Sequence, residues 1–326
     1  MAFKGKAAMT CHYCCAIAKR FGYDRKQNQR FRCLQCGKTF TEPRNKPLGD
    51  MRIPIEKAML CLQMLVEGCS IRTIERITGI GKTAIISLLL TAGEKCQRVM
   101  RDKIKNVSLQ FVEADEIWGF VQRKNRHVKE DDPDRDRVGD AYTFVAIEAK
   151  SKLVICYELG RRDIPTATRF IQKLHDAASA RFQLTTDGLK AYLEAVETVF
   201  GTEIDFAQLV KSYRSDDGSS AERRYSPGDF IGSKKVTVMG QPNEDKINTA
   251  YVERQNLTMR MMMRRLTRLT NAFSKKWENL NYALALHFAY YNFCRVHQSL
   301  RVTPAMEAGI TDHVWTIEEL VTERIY

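Results

Sequence analysis

The chain has 326 residues and a formal net charge of +13 at pH 7, from 52 Lys and Arg against 39 Asp and Glu. This length allows two or three domains, and the positive charge favours a polyanionic partner, with nucleic acid first. Its longest apolar runs are too short to span a bilayer, and we find no secretory signal pattern, so we expect no membrane partner. The cysteine pattern fits a reducing compartment and predicts a cytoplasmic location.

Two CxxC pairs near the N-terminus have the spacing of a tetrahedral zinc site built from two knuckles. Their members are Cys11, Cys14, Cys33 and Cys36. We therefore predict a four-cysteine zinc ribbon over residues 1–46, in which Zn²⁺ contributes directly to folding. His12 and Cys15 remain alternative ligands, each beside a better-spaced cysteine. A redox role is disfavoured, because thioredoxin-type sites use one pair beside a βαβ unit.

Residues 50–105 have the spacing of two short helices, a tight glycine-containing turn and a third amphipathic helix. Ser70 can cap the second helix, and Gly79-Ile80-Gly81 makes the turn. This pattern predicts an all-α helix-turn-helix domain whose last helix enters the major groove of DNA. The base-reading side chains would be Lys82, Thr83 and Ser87. An ordinary three-helix packing unit remains the alternative, since helical hairpins are common.

Alternating patterns after residue 108 predict three antiparallel strands followed by alternating helices and strands. The predicted strands are 109–121, 141–149, 152–160, 182–186 and 204–210, and the helices are 165–180 and 188–200. This order predicts a mixed α/β sheet, the layout of the ribonuclease H-like fold, with helices C-terminal to it. We interpret 124–140 as a loop and 211–241 as an insertion or extended loop.

Two acids interrupt apolar strands. Asp115 lies within the first strand, and Asp187 follows the strand 182–186 in the motif TTDG. Buried acids need compensation, and strand ends in open α/β sheets commonly bind ligands. Each acid alone is ambiguous, because Asp-Gly is also a common turn and Asp115 could be hydrogen-bonded locally. Glu116 is a rival to Asp115, although alternation in a regular strand would turn it to the opposite face.

A third acid, Glu253, lies in the basic segment 248–268. Read as a helix, this segment places Asn256 and Arg260 on the same face as Glu253. A solvated amphipathic helix is the alternative interpretation. Three converging carboxylates, Asp115, Asp187 and Glu253, would suit a pair of Mg²⁺ (or Mn²⁺) ions that activate water or a 3′-hydroxyl.

Basic side chains around and after Glu253 form a predicted phosphate-contacting set that supports the acids. Its basic members are Lys246, Arg254, Arg260, Arg264, Arg265, Arg268, Lys275 and Lys276, and the neutral amide of Asn256 is predicted to support them. Exposed basic residues are common in soluble proteins, so each one alone is ambiguous.

The chain resembles bacterial insertion-sequence transposases of the DDE type, most closely the insertion-sequence-one group, over essentially its whole length. The resemblance is carried by the CxxC pairs, the helix-turn-helix, ADEIWGFV around Asp115, TTDGLKAY around Asp187 and YVERQNLTMRMMMRRLTRLTNAFSKK from Tyr251. It implies that Asp115, Asp187 and Glu253 are the catalytic metal-binding acids of a domain over 108–298. Arg260 follows Glu253 by the spacing of the family signature.

The segment FAYYNFCRVHQSLRVTPAMEAG also resembles the end of such catalytic domains, with 299–326 as a C-terminal tail. It marks Arg295 and His297 as DNA contacts. Many elements of the group make the full transposase by joining two reading frames, whereas this chain is one continuous reading frame. How its expression is controlled is therefore left open.

The resemblance implies water-driven nicking that frees a 3′-hydroxyl, followed by attack of that hydroxyl on target DNA without a covalent enzyme intermediate. The implied partners are double-stranded DNA, both element ends and target, and further copies of the chain in a homodimer or larger assembly. No small-molecule substrate is expected, and the location would be nucleoid-associated in a bacterial cytoplasm. Two rivals are a structure-selective nuclease that does not join strands, and a DNA-binding regulator with a retired nuclease domain.

Overall fold

The computed structural model describes residues 9–11, 14, 16–25, 27–41, 48, 51–214 and 229–322. The chain divides into two compact units, Met1–Asp50 and Met51–Tyr326. The alternative zinc ligands His12 and Cys15 lie outside the described residues, as does 215–228 of the predicted insertion.

In its described residues, the N-terminal unit is a four-stranded antiparallel sheet with a very small apolar core. Its strands, in spatial as well as chain order, are β1 (Met9–Thr10), β2 (Ile17–Tyr23), β3 (Gln29–Cys33) and β4 (Thr39–Thr41). Phe31 and Phe40 stack with ring centroids 5.9 Å apart, and Ala18 is buried nearby. So little apolar area cannot hold a unit of this size without a further stabilising element.

The second unit begins with the three helices that the sequence predicts. They are α1 (Ile55–Val66), α2 (Ile71–Thr78) and α3 (Lys82–Lys103). Ser70 caps α2 by accepting a hydrogen bond from the backbone N–H of Thr73 at 3.1 Å. Gly79 ends α2 with φ of 70°, a left-handed conformation that glycine adopts without strain. The predicted cap and turn are therefore confirmed.

Helix α3 continues well beyond a short recognition helix and packs on α7 (Trp277–Ala289). The two backbones meet at Gly93, where an added Cβ would lie 2.5 Å from Tyr282 Cβ. The predicted helix-turn-helix region thus shares one compact unit with the sheet that follows it.

The mixed α/β sheet is confirmed. Its strands are β5 (Phe111–Val121), β6 (Gly139–Glu148), β7 (Val154–Gly160), β8 (Gln183–Thr186), β9 (Asp205–Arg214) and β10 (Asp229–Met239), in the spatial order β10-β9-β8-β5-β6-β7. The hairpin strands β5, β6 and β7 are antiparallel, whereas β8 runs parallel to both β5 and β9. This arrangement brings the carboxyl ends of β5 and β8 to one edge of the sheet.

Helices α4 (Ile164–Ala177) and α5 (Ala191–Phe200) pack against each other and contribute to the core of the sheet. Phe144 of β6 meets Phe170 of α4 and Tyr192 of α5, with centroid distances of 5.7 and 5.8 Å. The fully buried aromatic cluster fixes both helices against β6, the strand that pairs with β5.

Two sequence predictions differ from the structure. The predicted insertion 211–241 is in its described part mainly strand, because β9 extends to Arg214 and β10 pairs with it as an antiparallel partner. The predicted helix 248–268 is only α6 (Ala250–Met262), followed by a 3₁₀ turn at Arg264–Leu266. The chain turns there because Met263 and Leu266 are buried, and Leu266 packs closely against Gly119 of β5.

The described C-terminal part contains a π-helical turn at Tyr290–Cys294 and the short helices α8 (Pro304–Glu307) and α9 (Ile317–Thr322). A 3₁₀ turn at Asn125–His127 lies within the predicted loop 124–140. In the described part of the chain, we find no helix with both the length and the apolar character needed to cross a bilayer.

Candidate functional site

The two CxxC pairs come together in the N-terminal unit. One sulfur from each of Cys11, Cys14, Cys33 and Cys36 lies within 4.8 Å of all the others. Cys11 Sγ is 3.6 Å from Cys36 Sγ, and Cys14 Sγ is 3.4 Å from Cys33 Sγ. The predicted four-cysteine cluster is therefore confirmed as a spatial group.

This cluster also has the hydrogen bonds that a metal-bound thiolate needs. The backbone N–H groups of Gln35 and Cys36 both donate to Cys33 Sγ at 3.3 Å. Such donors stabilise negative charge on sulfur, which is the form that binds a metal. The donor set and spacing fit a structural zinc ion.

The second group of ligand-type side chains lies at the edge of the six-stranded sheet. Strand β8 stops pairing with β5 at Thr186, opposite Ala114. The next residue on each side is an acid, so Asp187, directly after the carboxyl end of β8, lies beside Asp115, which is inside β5 where that strand continues to Val121 in pairing with β6. Carboxylate oxygens of Asp115, Glu116 and Asp187 all lie within 4.8 Å of one another.

Glu116 belongs to this group although alternation turns it away from the face of Asp115. Strand β5 is regular here, since its pairing with β6 shows no register shift. The expectation fails because β8 has already ended, so Asp187 lies past the last paired residue of β8, between β5 and β9, where side chains from both faces of β5 can reach it. The Glu116 side chain is only 3% exposed.

Neighbouring polar groups hold the two aspartates in place. Asn256 of α6 donates to Asp115 Oδ2 at 2.9 Å, and the N–H of Leu189 donates to Asp187 Oδ1 at 3.1 Å. The buried Gln208 of β9 donates to the carbonyl of Asp187 at 2.8 Å. The contact of Asn256 differs in kind from the phosphate contact that the sequence predicts for it.

Arg162 is a charged residue of the site that the sequence analysis missed. Its Nε donates to Glu116 Oε1 at 2.6 Å, and its guanidinium lies 3.8 Å from Asp187 Oδ2. Arg162 follows β7, which runs in the same direction as β5 and therefore ends at the same edge of the sheet. A search for charged residues just after each parallel-running strand would have found it.

Burial and mutual repulsion raise the pKa of each acid. Burial raises the pKa of Asp115 to about 6, with further increases from Asp187 and Glu253. Burial raises the pKa of Glu116 to about 8, and the carboxylates of Asp187 and Asp115 add to the increase. Burial also raises the pKa of Asp187. Arg162, with Lys211 acting on Asp187, thus compensates the three acids incompletely, and a divalent cation would restore the balance.

Two buried oxygens at this edge have no hydrogen-bond donor within the described residues. They are Glu116 Oε2 and Asn256 Oδ1. Unsatisfied buried acceptors are costly, and oxygen donors beside carboxylates are the ligand type that Mg²⁺ and Mn²⁺ prefer. The donor chemistry of the site therefore fits a hard divalent metal.

Glu253 faces the same cavity but lies outside the three-acid group. It sits in the first turn of α6 with its side chain 46% exposed, and its Oε1 accepts hydrogen bonds from Lys211 and Thr249. The cavity, of about 730 Å³, is also lined by Asp115, Arg162 and Asp187. The structure thus brings two of the three predicted acids into contact range and places the third across a shared cavity.

The residues predicted to contact nucleic acid are exposed or half-buried. Lys82, Thr83 and Ser87 lie exposed in the first two turns of α3. Exposed basic residues are Lys246, Arg254, Arg264, Arg268, Lys275 and Lys276, whereas Arg260, Arg265, Arg295 and His297 are half-buried. His297 Nδ1 shares a hydrogen bond with Ser299 at 3.0 Å. Their contacts with DNA remain predictions.

No protein-family model and no curated protein matches the sequence. Among solved structures, the chain is similar to a piggyBac transposase synaptic complex with hairpin DNA, at 11% identity over 81% of this chain and 68% of that one, with a TM-score of 0.35. It is also similar to the Mos1 strand transfer complex, at 13% identity over 73% of this chain and 75% of that one, with a TM-score of 0.20. Scores this low assign neither fold nor function, so the geometry of the acids must carry the functional argument.

Proposed function

We propose that the chain is a DNA transposase of the DDE type, of the insertion-sequence-one group, with a ribonuclease H-like catalytic domain. The observation that carries the proposal is the meeting of Asp115, inside β5, with Asp187, directly after the carboxyl end of the parallel strand β8, while Glu253 lines the same cavity. Acids in this arrangement, beside the basic segment 248–268, suit metal-dependent chemistry on a nucleic-acid backbone. Strands β5, β6 and β7 are antiparallel, and β8 then runs parallel to β5 and β9. This order supports the ribonuclease H-like layout.

In this proposal, Asp115 and Asp187 hold Mg²⁺ or Mn²⁺, and Glu253 completes the site. Bound divalent ions supply activation of water or a 3′-hydroxyl and stabilisation of the leaving oxygen. Asn256 keeps one oxygen of Asp115 in a fixed direction, and Gln208 holds the backbone at Asp187. Lys211 pairs with Glu253 and neutralises it in the metal-free arrangement.

DNA recognition falls to the N-terminal unit and to α3 in this proposal. The four-cysteine cluster stabilises a basic ribbon, and Lys82, Thr83 and Ser87 read base edges from the exposed start of α3. The basic residues after Glu253 contact phosphates, so affinity should fall steeply with salt. Pairing of two element ends implies a homodimer or larger assembly on DNA.

The test is a cleavage and strand-transfer assay with purified protein, Mg²⁺, and duplexes made from the DNA on both sides of the coding region. The wild-type protein should nick these ends and join them to target DNA, and Asp187→Asn should reduce both products to background. Asp205→Asn is the matched control, because Asp205 is paired with Arg181 on the same sheet but away from the cavity. Equal activity of Asp187→Asn and wild type would contradict the proposal.

The same assay separates the rival functions. Cleavage without joined products would indicate a structure-selective nuclease. Tight binding without any metal-dependent cleavage would indicate a regulator with a retired nuclease domain.

A further inference from the structure

Helix α6 begins without a cap from its own preceding residue. The hydroxyl of Thr249, at the N-cap position, donates to Glu253 instead of accepting from the helix. The first backbone N–H groups of a helix need acceptors, because they have no partner within the helix. Asn248 Oδ1 accepts from the backbone N–H of Ala250 at 3.1 Å, so the N–H groups of Tyr251 and Val252 are the ones whose acceptor must come from elsewhere in the fold.

Glu113 of β5 supplies that acceptor. Its Oε2 accepts hydrogen bonds from the backbone N–H groups of Tyr251 at 2.7 Å and Val252 at 3.1 Å. The side chain is buried, with the residue only 3% exposed. A carboxylate at a helix N-terminus is also favoured by the helix dipole. A buried acid in a strand therefore fixes the start of the helix that carries Glu253.

A second contact joins the same two elements about one helical turn further on. Glu113 and Asp115 are two residues apart in β5 and so point to the same face of the sheet. Asp115 accepts a hydrogen bond from Asn256 of α6 at 2.9 Å. Glu113 and Asp115 thus contact α6 at two separate points, which fixes its position along β5 as well as its direction.

We propose that Glu113 is a positioning residue that holds α6, and with it Glu253 and Asn256, in register with Asp115. Glu113 binds backbone N–H groups, so it acts through the placement of α6 rather than as a metal ligand. The consequence for chemistry rests on the proposed function above, whereas the anchoring of α6 does not depend on it.

Two conservative variants separate anchoring from charge. Glu113→Gln keeps the length of the side chain and one acceptor oxygen but loses the negative charge. Glu113→Asp keeps the charge but shortens the side chain by one methylene, so it loses its reach to Tyr251 and Val252. If Glu113 acts by anchoring, Glu113→Asp should disturb the start of α6 and Glu113→Gln should be tolerated. If Glu113 acts only by its charge near the cavity, Glu113→Gln should have the larger effect.

The first measurement is amide hydrogen exchange of the metal-free full chain, which needs no activity. Glu113→Asp should accelerate exchange at the start of α6 by about tenfold or more, whereas Glu113→Gln should remain within about threefold of wild type. Thr303→Ala is the matched control, since Thr303 caps α8 by accepting from Met306 N–H at 3.2 Å and α8 carries no residue of the site. That control should leave exchange in α6 unchanged.

The second measurement is Mn²⁺ affinity by calorimetry on the same proteins. Glu113→Asp should weaken Mn²⁺ binding by about 10–100-fold, the range found for residues that orient metal ligands, and Glu113→Gln should weaken it much less. The proposal would be overturned if exchange in α6 were equal in Glu113→Asp and wild type. It would also be overturned if Mn²⁺ affinity fell more in Glu113→Gln than in Glu113→Asp. Failure of wild type to bind Mn²⁺ would instead contradict the proposed function and leave the exchange result to decide the anchoring.

Discussion

Three half-buried acids beside one arginine make the metal-free site electrostatically unfavourable. Glu116 accepts its hydrogen bond from Arg162 through Oε1, while Oε2 is buried without a partner in the described residues. Its raised pKa means that the folded state favours the neutral form. The protein therefore gives up stability to keep carboxylates together, as expected where a cation is to bind.

Glu116→Gln should relieve the repulsion among these acids. Removing one charge, while keeping an acceptor for Arg162, should raise the melting temperature of the metal-free protein at pH 8. A stabilisation of about 1 kcal/mol corresponds to a rise of roughly 2–4 °C in the melting temperature of a domain of some 200 residues. The gain in melting temperature should shrink toward pH 5. In the folded wild type Glu116 is then protonated and uncharged, whereas in the unfolded chain it stays ionised above about pH 4.5.

Calorimetric scans with and without Mg²⁺ check this prediction. Glu158→Gln is the control: Glu158 is already compensated by Arg169 and Lys173, so its loss should not stabilise the protein. A Glu116→Gln variant that is less stable than wild type at pH 8 would show that the acids do not repel one another.

At the scale of single elements, tertiary contacts decide what local sequence leaves open. Asp115 and Asp187 could be predicted, because an acid in or just after an apolar strand is visible in the local sequence. Glu116 and Arg162 could not be predicted by alternation, since their roles depend on β8 ending early and on β7 reaching the same edge. Helix α6 is shorter than its basic pattern predicts, because Leu266 is buried against β5.

Helix α3 gives a prediction about packing. Gly93→Ala removes a poor helix former and would stabilise an isolated helix by about 1 kcal/mol. In this protein the new Cβ would lie 2.5 Å from both Cβ and the carbonyl oxygen of Tyr282. We therefore expect a net loss of about 1–3 kcal/mol in the free energy of unfolding, measured in urea.

Ser87→Ala, at an exposed position of α3, is the control for helix propensity and should be neutral or slightly stabilising. A Gly93→Ala protein as stable as wild type would mean that α3 and α7 are not in close contact.

His287 of α7 gives the pH prediction. Burial lowers its pKa to about 3, with Arg295 adding to the decrease, and both ring nitrogens lack partners within the described residues. An unfolded histidine titrates near 6.5, so the unfolded state gains a proton first as pH falls. Stability contributed by His287 is thus full above about pH 6.5 and is lost progressively toward pH 3.

His287→Leu should remove this dependence and stabilise the protein at pH 5 by about 2 kcal/mol more than at pH 8. Urea unfolding at the two pH values measures the difference. His127→Leu, at an exposed position, is the control and should show no such gain. An equal change at both pH values for His287→Leu would contradict the assignment of His287 as buried and neutral.

At the scale of the whole molecule, the two units depend on different forces. Met51–Tyr326 has an extensive apolar core, whereas the N-terminal unit has a few buried apolar side chains around its cysteines. The order of four-cysteine unit, three helices and mixed sheet could be predicted from spacing and periodicity. The β10 strand could not, because its Gly and Ser content resembles a loop until the open edge of β9 is available for pairing.

This difference predicts separate responses to metal loss. Elemental analysis should find one zinc ion per chain, and Cys33→Ser should lose it. Limited proteolysis should then degrade the N-terminal unit while a fragment that begins near Met51 persists. Cys69→Ser, outside the cluster, should keep the zinc; equal zinc content and protease resistance in Cys33→Ser would contradict a structural zinc site.

The central claim is that Asp115 and Asp187 hold divalent metal ions. The most direct measurement is an anomalous difference map from crystals of the protein grown with Mn²⁺. We predict a strong peak between the carboxylates of Asp115 and Asp187, on the side of the cavity that Glu253 faces, and its loss in Asp187→Asn crystals. A map without a peak between these two carboxylates, at Mn²⁺ concentrations that saturate binding in solution, would contradict the account.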